Sequence, residues 1–323
     1  MSWDSDTAQT RIRLGARKPT DSHSREETPM SCIVRKYGGA CFADREGLLR
    51  VARQVLAGGE LPTVIVVSAC QGVTDQLSGQ AQELGAAPAH AARDLLLATG
   101  ELQSAALLAV AVTQLGGRAE VVPPWAVFET TAEFGNATIE KVEVQPVLRC
   151  LGRGVVPIVP GFIGGTRDGR VTTLGRGGSD YSAVALGVAL HAARVELCKA
   201  EVDGVYDADP HTNGHARRFD TLTHGEALRL SRSGAKVLQD KAAALAGRWG
   251  VPVLVRPAFA EGPGTMIGSR SEQSLEMPLP IEAVTAAAAR GGYIELMSPA
   301  PGPGWGLAPF SHGTPPQRIA TQP

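Results

Sequence analysis

Val155-Val156-Pro157-Ile158-Val159-Pro160-Gly161-Phe162-Ile163-Gly164-Gly165-Thr166-Arg167-Asp168-Gly169-Arg170-Val171-Thr172-Thr173-Leu174-Gly175-Arg176-Gly177-Gly178-Ser179-Asp180 joins an apolar, strand-like run to an alanine- and leucine-rich helical pattern that starts near Asp180. A glycine-dense connection of this kind lets backbone N–H groups approach an anion at the positive end of a helix dipole. Arg176 and Asp180 stand at the helix entrance, separated by Gly-Gly-Ser. A simpler reading makes Ser179 or Asp180 a helix cap and gives the glycines to the turn alone. Capping needs few glycines, so a ligand site is the better account of this stretch.

The same grammar recurs upstream. Ser31 to Lys36 reads as a short strand ending in Tyr37-Gly38-Gly39. A helix capped by Asp44 follows, with Leu48, Leu49, Val51, Ala52, Val55 and Leu56 at helical spacing. Thr63 to Val67 is a β-branched run of the kind buried in a parallel sheet, and it opens into Ser68-Ala69-Cys70-Gln71-Gly72-Val73-Thr74-Asp75. Strand, glycine loop, helix, strand, glycine loop is a βαβ unit, and open α/β sheets bind ligands at that carboxyl edge. The class expected is α/β: a three-layer α/β/α sandwich on one large, mainly parallel central sheet.

Further along, His90 to Leu115 predicts an alanine-rich helix interrupted by Gly100-Glu101. On this segment alone Glu101 reads as a solvated carboxylate beside a close packing contact. Gly117 to Val122 predicts a strand, Asn136 to Leu151 a helix, and Asp180 to His191 another helix. Arg194 to Lys199 leads to the acidic, turn-rich Glu201 to Pro210. Helices are expected near His224 to Ser231 and Lys236 to Trp249, with Val251 to Val255 as the last convincing strand. Residues 1–30 are polar and aperiodic and read as a disordered extension. Residues 270–323 read as a tail with a Pro- and Gly-rich end, so the domain expected is 31–269, with lobes of about 31–193 and 194–269.

Composition narrows the function. A hydrophobic share of 43% supports a core, and a net charge of −1 gives no reason to expect nucleic acid or a membrane surface as partner. No apolar run is expected to span a membrane, and no secretory signal is expected at the start. Five cysteines without a CxxC pair suit buried thiols in a reducing cytoplasm rather than a metal or redox centre. No Gx4GK[ST] loop, GxSxG elbow or HExxH is present. Lysines after turns (Lys36, Lys236), glycine N–H groups and a helix N-terminus are parts that phosphoryl transfer uses, since that chemistry is mostly positioning and charge neutralisation.

At this point the chain resembles the aspartate kinases of the amino-acid kinase family. The resemblance rests on motifs in family order across Cys32 to Gly268: Lys36-Tyr37-Gly38-Gly39; Ser68 to Asp75; Gly100-Glu101; Gly161-Phe162-Ile163-Gly164; Thr173 to Asp180; Val202-Asp203-Gly204-Val205-Tyr206 with Asp209-Pro210; Gly234-Ala235-Lys236-Val237; and Gly264-Thr265. It implies transfer of the ATP γ-phosphoryl group to the side-chain carboxylate of L-aspartate. That would be the first step toward lysine, threonine and methionine or of a specialised pathway using aspartyl phosphate.

The resemblance also assigns roles. Lys36 would neutralise the transferring group, with Gly38 and Gly39 N–H beside it. Arg176 would pair with the substrate α-carboxylate. Asp180, acting with Lys36 in catalysis, and Glu101 would hold the substrate ammonium. Ser68, Thr74, Gly177 and Ser179 would line the substrate loop. Glu201, Asp203, Gly204, Tyr206, Asp209 and Lys236 would face ATP, whose phosphates Mg²⁺ bridges; no protein-bound metal is expected.

Some positions depart from the family pattern. Ala40-Cys41 replaces Thr-Ser, Lys199-Ala200-Glu201 replaces aromatic-Thr-Asp, and Thr130-Thr131 replaces Thr-Asp. Lys199 could supply a compensating charge. These departures leave open a kinase for another amino acid or carboxylate, or a catalytically impaired binding homologue. The tail is too short for the usual pair of ACT domains; residues 281–297 could be a remnant of the first, and feedback through that route is expected to be absent. A homodimer is left open.

Overall fold

β1 (Ile33–Tyr37) lies inside the main sheet, with four of its five residues buried across both faces, as a central parallel strand requires. The computed structural model describes residues 32–268 except Glu60, Ala86, Pro88, Glu201, His211 and 234–237, together with the backbone of 294–295. The expected disordered extension at 1–30 and the Pro- and Gly-rich tail lie outside the described residues.

In chain order β1 is followed by α1 (Arg45–Ala57), β2 (Thr63–Val67), α2 (Val73–Glu83), α3 (Ala91–Gln114), β3 (Ala119–Val121), β4 (Phe128–Thr130), β5 (Ile139–Val142), α4 (Gln145–Gly152), β6 (Val156–Pro160), β7 (Ile163–Gly165) and β8 (Val171–Thr173). Then come α5 (Gly178–Ala189), β9 (Arg194–Lys199), β10 (Thr221–Leu222), α6 (His224–Arg232), α7 (Asp240–Trp249), β11 (Val253–Pro257), β12 (Thr265–Ile267) and β13 (Ile294–Glu295). The main sheet has the order β10-β12-β11-β9-β1-β2-β6-β3, parallel except where β12 runs against β11.

Alternation along the strands gives the two cores of a three-layer sandwich. Ile65 and Val67 pack with α1 and α3, while Val64 and Val66 pack with α4, α5 and α7. Glu196 on β9 is fully buried, and Arg35, Arg194 and Arg256 surround it at 2.8, 2.6 and 3.5 Å. Burial alone would raise its carboxyl; the arginine charges outweigh that and hold it below the usual range. The cluster ties β1, β9 and β11 together at mid-strand.

Four expectations are corrected. A second, five-stranded sheet (β13-β5-β4-β7-β8) flanks the first. The Gly161 to Asp180 stretch is therefore no simple turn but a β7–β8 hairpin followed by the entrance to α5. The helix expected over Asn136 to Leu151 is a strand, β5, and a shorter helix whose first turn holds Pro146; β-branched Ile139 and Val142 bury against the core, and proline starts the helix after them. Val251 to Val255 is shifted to Val253–Pro257 and is not the last strand, because β12 hairpins back onto it. Finally, α3 has a mean hydropathy of 1.7 over eighteen residues, which would suit a bilayer by length and composition. Half of that window is instead buried against β3, β6, α1 and α2.

Candidate functional site

The carboxyl ends of β1 and β9 lie side by side, with Lys36 paired to Leu197 and Tyr37 to Cys198. Lys199 is therefore the next residue beyond the pair. Helix α5 rises against β1 with all twelve residues buried, so its first turn is fixed from every side. Its entrance needs glycine: a Cβ at Gly161 would come within 2.8 Å of the Ser179 Cβ and 2.9 Å of its Cα. Phe162 takes a left-handed φ of 64°, rare for a bulky residue. Its N–H donates to the buried Ser182 hydroxyl at 3.1 Å, which holds that conformation.

This scaffold puts Asp180 between two lysines. The Lys36 Nζ stands 2.7 Å from Oδ1 and the Lys199 Nζ donates to Oδ2 at 3.1 Å. The Lys36 contact is an ion pair, because no hydrogen-bond angle is met at Oδ1. Burial would raise Asp180, but the charges of Lys199 and Lys36 outweigh it and leave the carboxyl at about 2. Burial lowers Lys36 by more than the shared Asp180 charge restores, with Lys199 adding repulsion. Counted by formal charge, one carboxylate between two lysines leaves the cluster one positive charge in excess.

Glu101 is the fourth member. Gly100 before it allows close packing: a Cβ there would meet the Ala69 Cβ at 3.0 Å and Val73 at 3.1 Å. The carboxyl is thereby buried, not solvated as its segment alone suggests. Burial pushes it up to about 8, opposed by hydrogen bonding to the Ala69 backbone and by the Lys36 charge. Its Oε2 has no hydrogen-bond partner.

The remaining substrate-side residues sit further out. Ser68 is half-buried at the end of β2, its N–H donating to the Tyr37 carbonyl at 3.2 Å. Thr74 is half-buried in the first turn of α2. Gly177 takes φ 78° at the α5 cap, and Ser179 is buried against Gly161. The Arg176 side chain is 94% exposed and reaches only Asp75, at 4.0 Å; it forms the rim of the site and does not touch the buried cluster.

On the other side, the Gly38 N–H is already spent on the Cys198 carbonyl at 3.3 Å. Gly39 is held by shape, since a Cβ would lie 2.6 Å from the Ala69 carbonyl oxygen. Asp203 accepts from the Tyr206 hydroxyl at 2.7 Å and from Arg218 at 3.3 Å. Gly204 is wedged against Arg218 and Thr265, and the Asp209 carbonyl accepts from the Thr212 and Asn213 N–H groups. Glu201 and Lys236 lie outside the described residues.

The departures also find places. Cys41 is buried in a short 3-10 turn and its thiol points at the Cys198 carbonyl, so that position serves packing. Thr130 shares a 2.6 Å hydrogen bond with Thr172, and Thr131 accepts from the Thr138 N–H; both brace the second sheet. Two residues were absent from the expected site. Lys199, named only as a compensating charge, is one; its place at the carboxyl end of β9 was the available signal. Asp94 is the other. It is fully buried in α3 and accepts from the N–H groups of Gly135 and Thr173 at 2.9 and 2.7 Å, pinning the hairpin that leads into α5. A cavity of about 840 Å³ opens beside Arg194, Asp220 and Met266, at the start of β9, and none of these site residues lines it.

Comparison with known proteins adds three findings. The model of the amino acid kinase family matches residues 31–257. The chain is 40% identical over 257 residues to the aspartokinase of Mycobacterium tuberculosis and 37% identical over 260 residues to that of Geobacillus stearothermophilus. Those stretches cover 77% and 79% of this chain but only 60% and 63% of the relatives. Among solved structures it resembles E. coli aspartokinase III in complex with aspartate and ADP (TM-score 0.66, 28% identity, 74% of this chain and 64% of that one). It also resembles the aspartate kinase of Synechocystis (TM-score 0.65, 34% identity, 74% and 40%).

Proposed function

The chain belongs to the amino acid kinase family, and from that premise we propose that it phosphorylates the side-chain carboxylate of L-aspartate with MgATP, giving 4-phospho-L-aspartate and ADP. The observation that carries this reading is the buried Lys36–Asp180–Lys199 cluster with its one surplus positive charge. Such a site favours an anion, and it lies beside Glu101, whose unpartnered buried oxygen suits a cation. The relatives and the aspartate- and ADP-bound neighbour support the choice of substrates.

In this reading the γ-phosphorus bonds to a side-chain oxygen of aspartate as its bond to the β,γ-bridging oxygen breaks. The electron pair leaves with ADP, and the ionised acceptor needs no general base. Lys36 neutralises the charge that moves. The substrate ammonium goes to Glu101, because both Asp180 oxygens already face lysines; the arriving cation would draw Glu101 into its ionised form. Arg176 swings from the rim to grip the α-carboxylate by a bidentate contact. Ser68, Thr74 and Ser179 line the acceptor side. The Asp203–Tyr206 segment faces the nucleotide, the motifs of Glu201 and Lys236 assign them the same role, and Mg²⁺ arrives with ATP as part of that substrate.

The product is a reactive acyl phosphate, which suits the head of the aspartate-derived amino-acid pathway. Five free thiols, four of them buried, fit work in a reducing cytoplasm. A coupled ADP-release assay over a panel of carboxylates tests the proposal. Turnover with L-aspartate well above that with other acceptors is expected; turnover with another carboxylate alone, or none at all, refutes it.

A further inference from the structure

Charge balance alone does not require the second lysine of the cluster. One carboxylate balances one buried ammonium group, and Lys36, with a side chain only 8% exposed, already fills that role for Asp180. Lys199 is 23% exposed while its Nζ donates to Asp180, so its side chain links the buried carboxylate to the solvent-accessible side of the cluster. Glu101, held near a pKa of about 8, is mostly uncharged at neutral pH and leaves the surplus charge standing.

The position of the cluster matters as much as its charge. Asp180 arrives from the acceptor wall through α5. Lys199 ends β9, the strand that runs directly into the Asp203–Tyr206 segment. A group that passes from one wall to the other crosses the space between them, where both ammonium groups stand.

We propose that Lys199 is a second phosphoryl-binding residue, which with Lys36 forms a two-pronged cradle for the terminal phosphate of the nucleotide. Asp180 holds both prongs before the phosphate arrives and remains as their counter-ion afterwards. The proposal rests on the phosphoryl-transfer reading above but is independent of which acceptor is used. During transfer only the phosphorus–oxygen bonds change. Two cations spanning the equatorial oxygens stabilise charge that is spread over them.

The test is titration calorimetry of the full chain with Mg·AMP-PNP and with Mg·ADP, no acceptor present. Lys199→Met should weaken AMP-PNP binding by about tenfold or more, as expected for loss of a charged hydrogen bond, and ADP binding by less than about threefold. The double variant Lys199→Met/Asp180→Asn returns the cluster to one surplus positive charge and should recover most of the AMP-PNP affinity. Lys199→Arg keeps the charge and should keep the preference for AMP-PNP, which covers the case in which the methionine variant fails to fold. Equal losses for both nucleotides, no loss, or a double variant as weak as the single one overturns the cradle. Lys199-dependent binding of AMP-PNP without turnover of aspartate removes the acceptor assignment and leaves the cradle in place. Failure of the unsubstituted chain to bind either nucleotide removes both.

Discussion

The two walls of the cleft are built differently. The acceptor wall is a fully buried helix whose entrance is fixed by Gly161 against Ser179, by the Ser182 hydroxyl on Phe162 and by Asp94 on the hairpin. The opposite wall, Val202 to Pro210, is half-exposed and held by a few polar contacts: Asp203 on Tyr206 and Arg218, and Val205 on Thr265. A rigid wall presents charge without reorganisation when the reaction occurs. A half-exposed loop can exchange such polar contacts for those of a ligand. Lys36 and Lys199, on adjacent strands, join the two.

If this division is right, substitutions should sort by wall. Lys36→Met should have the largest effect, lowering kcat by on the order of 10²–10³, comparable to removal of a preorganised electrostatic donor. Its KM for aspartate should stay within about threefold, as expected for an interaction made mainly in the transition state. Steady-state kinetics with both substrates varied checks this, and a pure KM effect would break the comparison.

Glu101→Gln comes next. It should raise the aspartate KM by roughly tenfold or more, through loss of a charged hydrogen bond, with the ATP KM unchanged. It also gives a pH signature. The folded carboxyl titrates near 8 and the unfolded one near its ordinary value of 4.5. The unfolded state therefore binds fewer protons between those values, and stability falls as pH rises through that window. Urea unfolding at pH 5 and pH 8 should show the variant losing less stability than the parent across this range, by up to a few kcal/mol. Parallel pH profiles would mean that Glu101 is ionised in the folded chain.

A third comparison sets glycine against glycine. Gly161→Ala forces a methyl onto the Ser179 backbone and should cost about 1–3 kcal/mol, read as a fall in Tm together with kcat. Gly204→Ala meets Arg218, whose side chain can move, and the Thr265 hydroxyl; its effect should be smaller and fall on the ATP KM. Reversal of that order would show the half-exposed wall to be the stiffer one. The smallest effect on stability is expected for Arg176→Ala, within about 0.5 kcal/mol because the residue is exposed and its ion pair is long. The same change should raise the aspartate KM.

These contrasts also explain what the sequence could and could not reveal. The βαβ start, the parallel sheet and the long α3 were legible because strand alternation and helical spacing are local patterns. Lys36, Glu101 and Asp180 could be picked out through motifs, yet Glu101 looked solvated until Gly100 was seen to pack against Ala69 and Val73. The second sheet was hidden because its strands are two to four residues long and several pair across hairpins or distant segments. Lys199 was visible as a charge, but its partner, nineteen residues earlier, is brought to it only by the register of β1 with β9 and the burial of α5.

The most direct test traps the product. With MgATP, L-aspartate and hydroxylamine, the unsubstituted chain should accumulate aspartyl hydroxamate in step with ADP, and Lys36→Met should accumulate almost none. ADP release without hydroxamate, or equal hydroxamate from both proteins, would contradict a carboxyl phosphoryl transfer centred on the lysine–aspartate–lysine cluster.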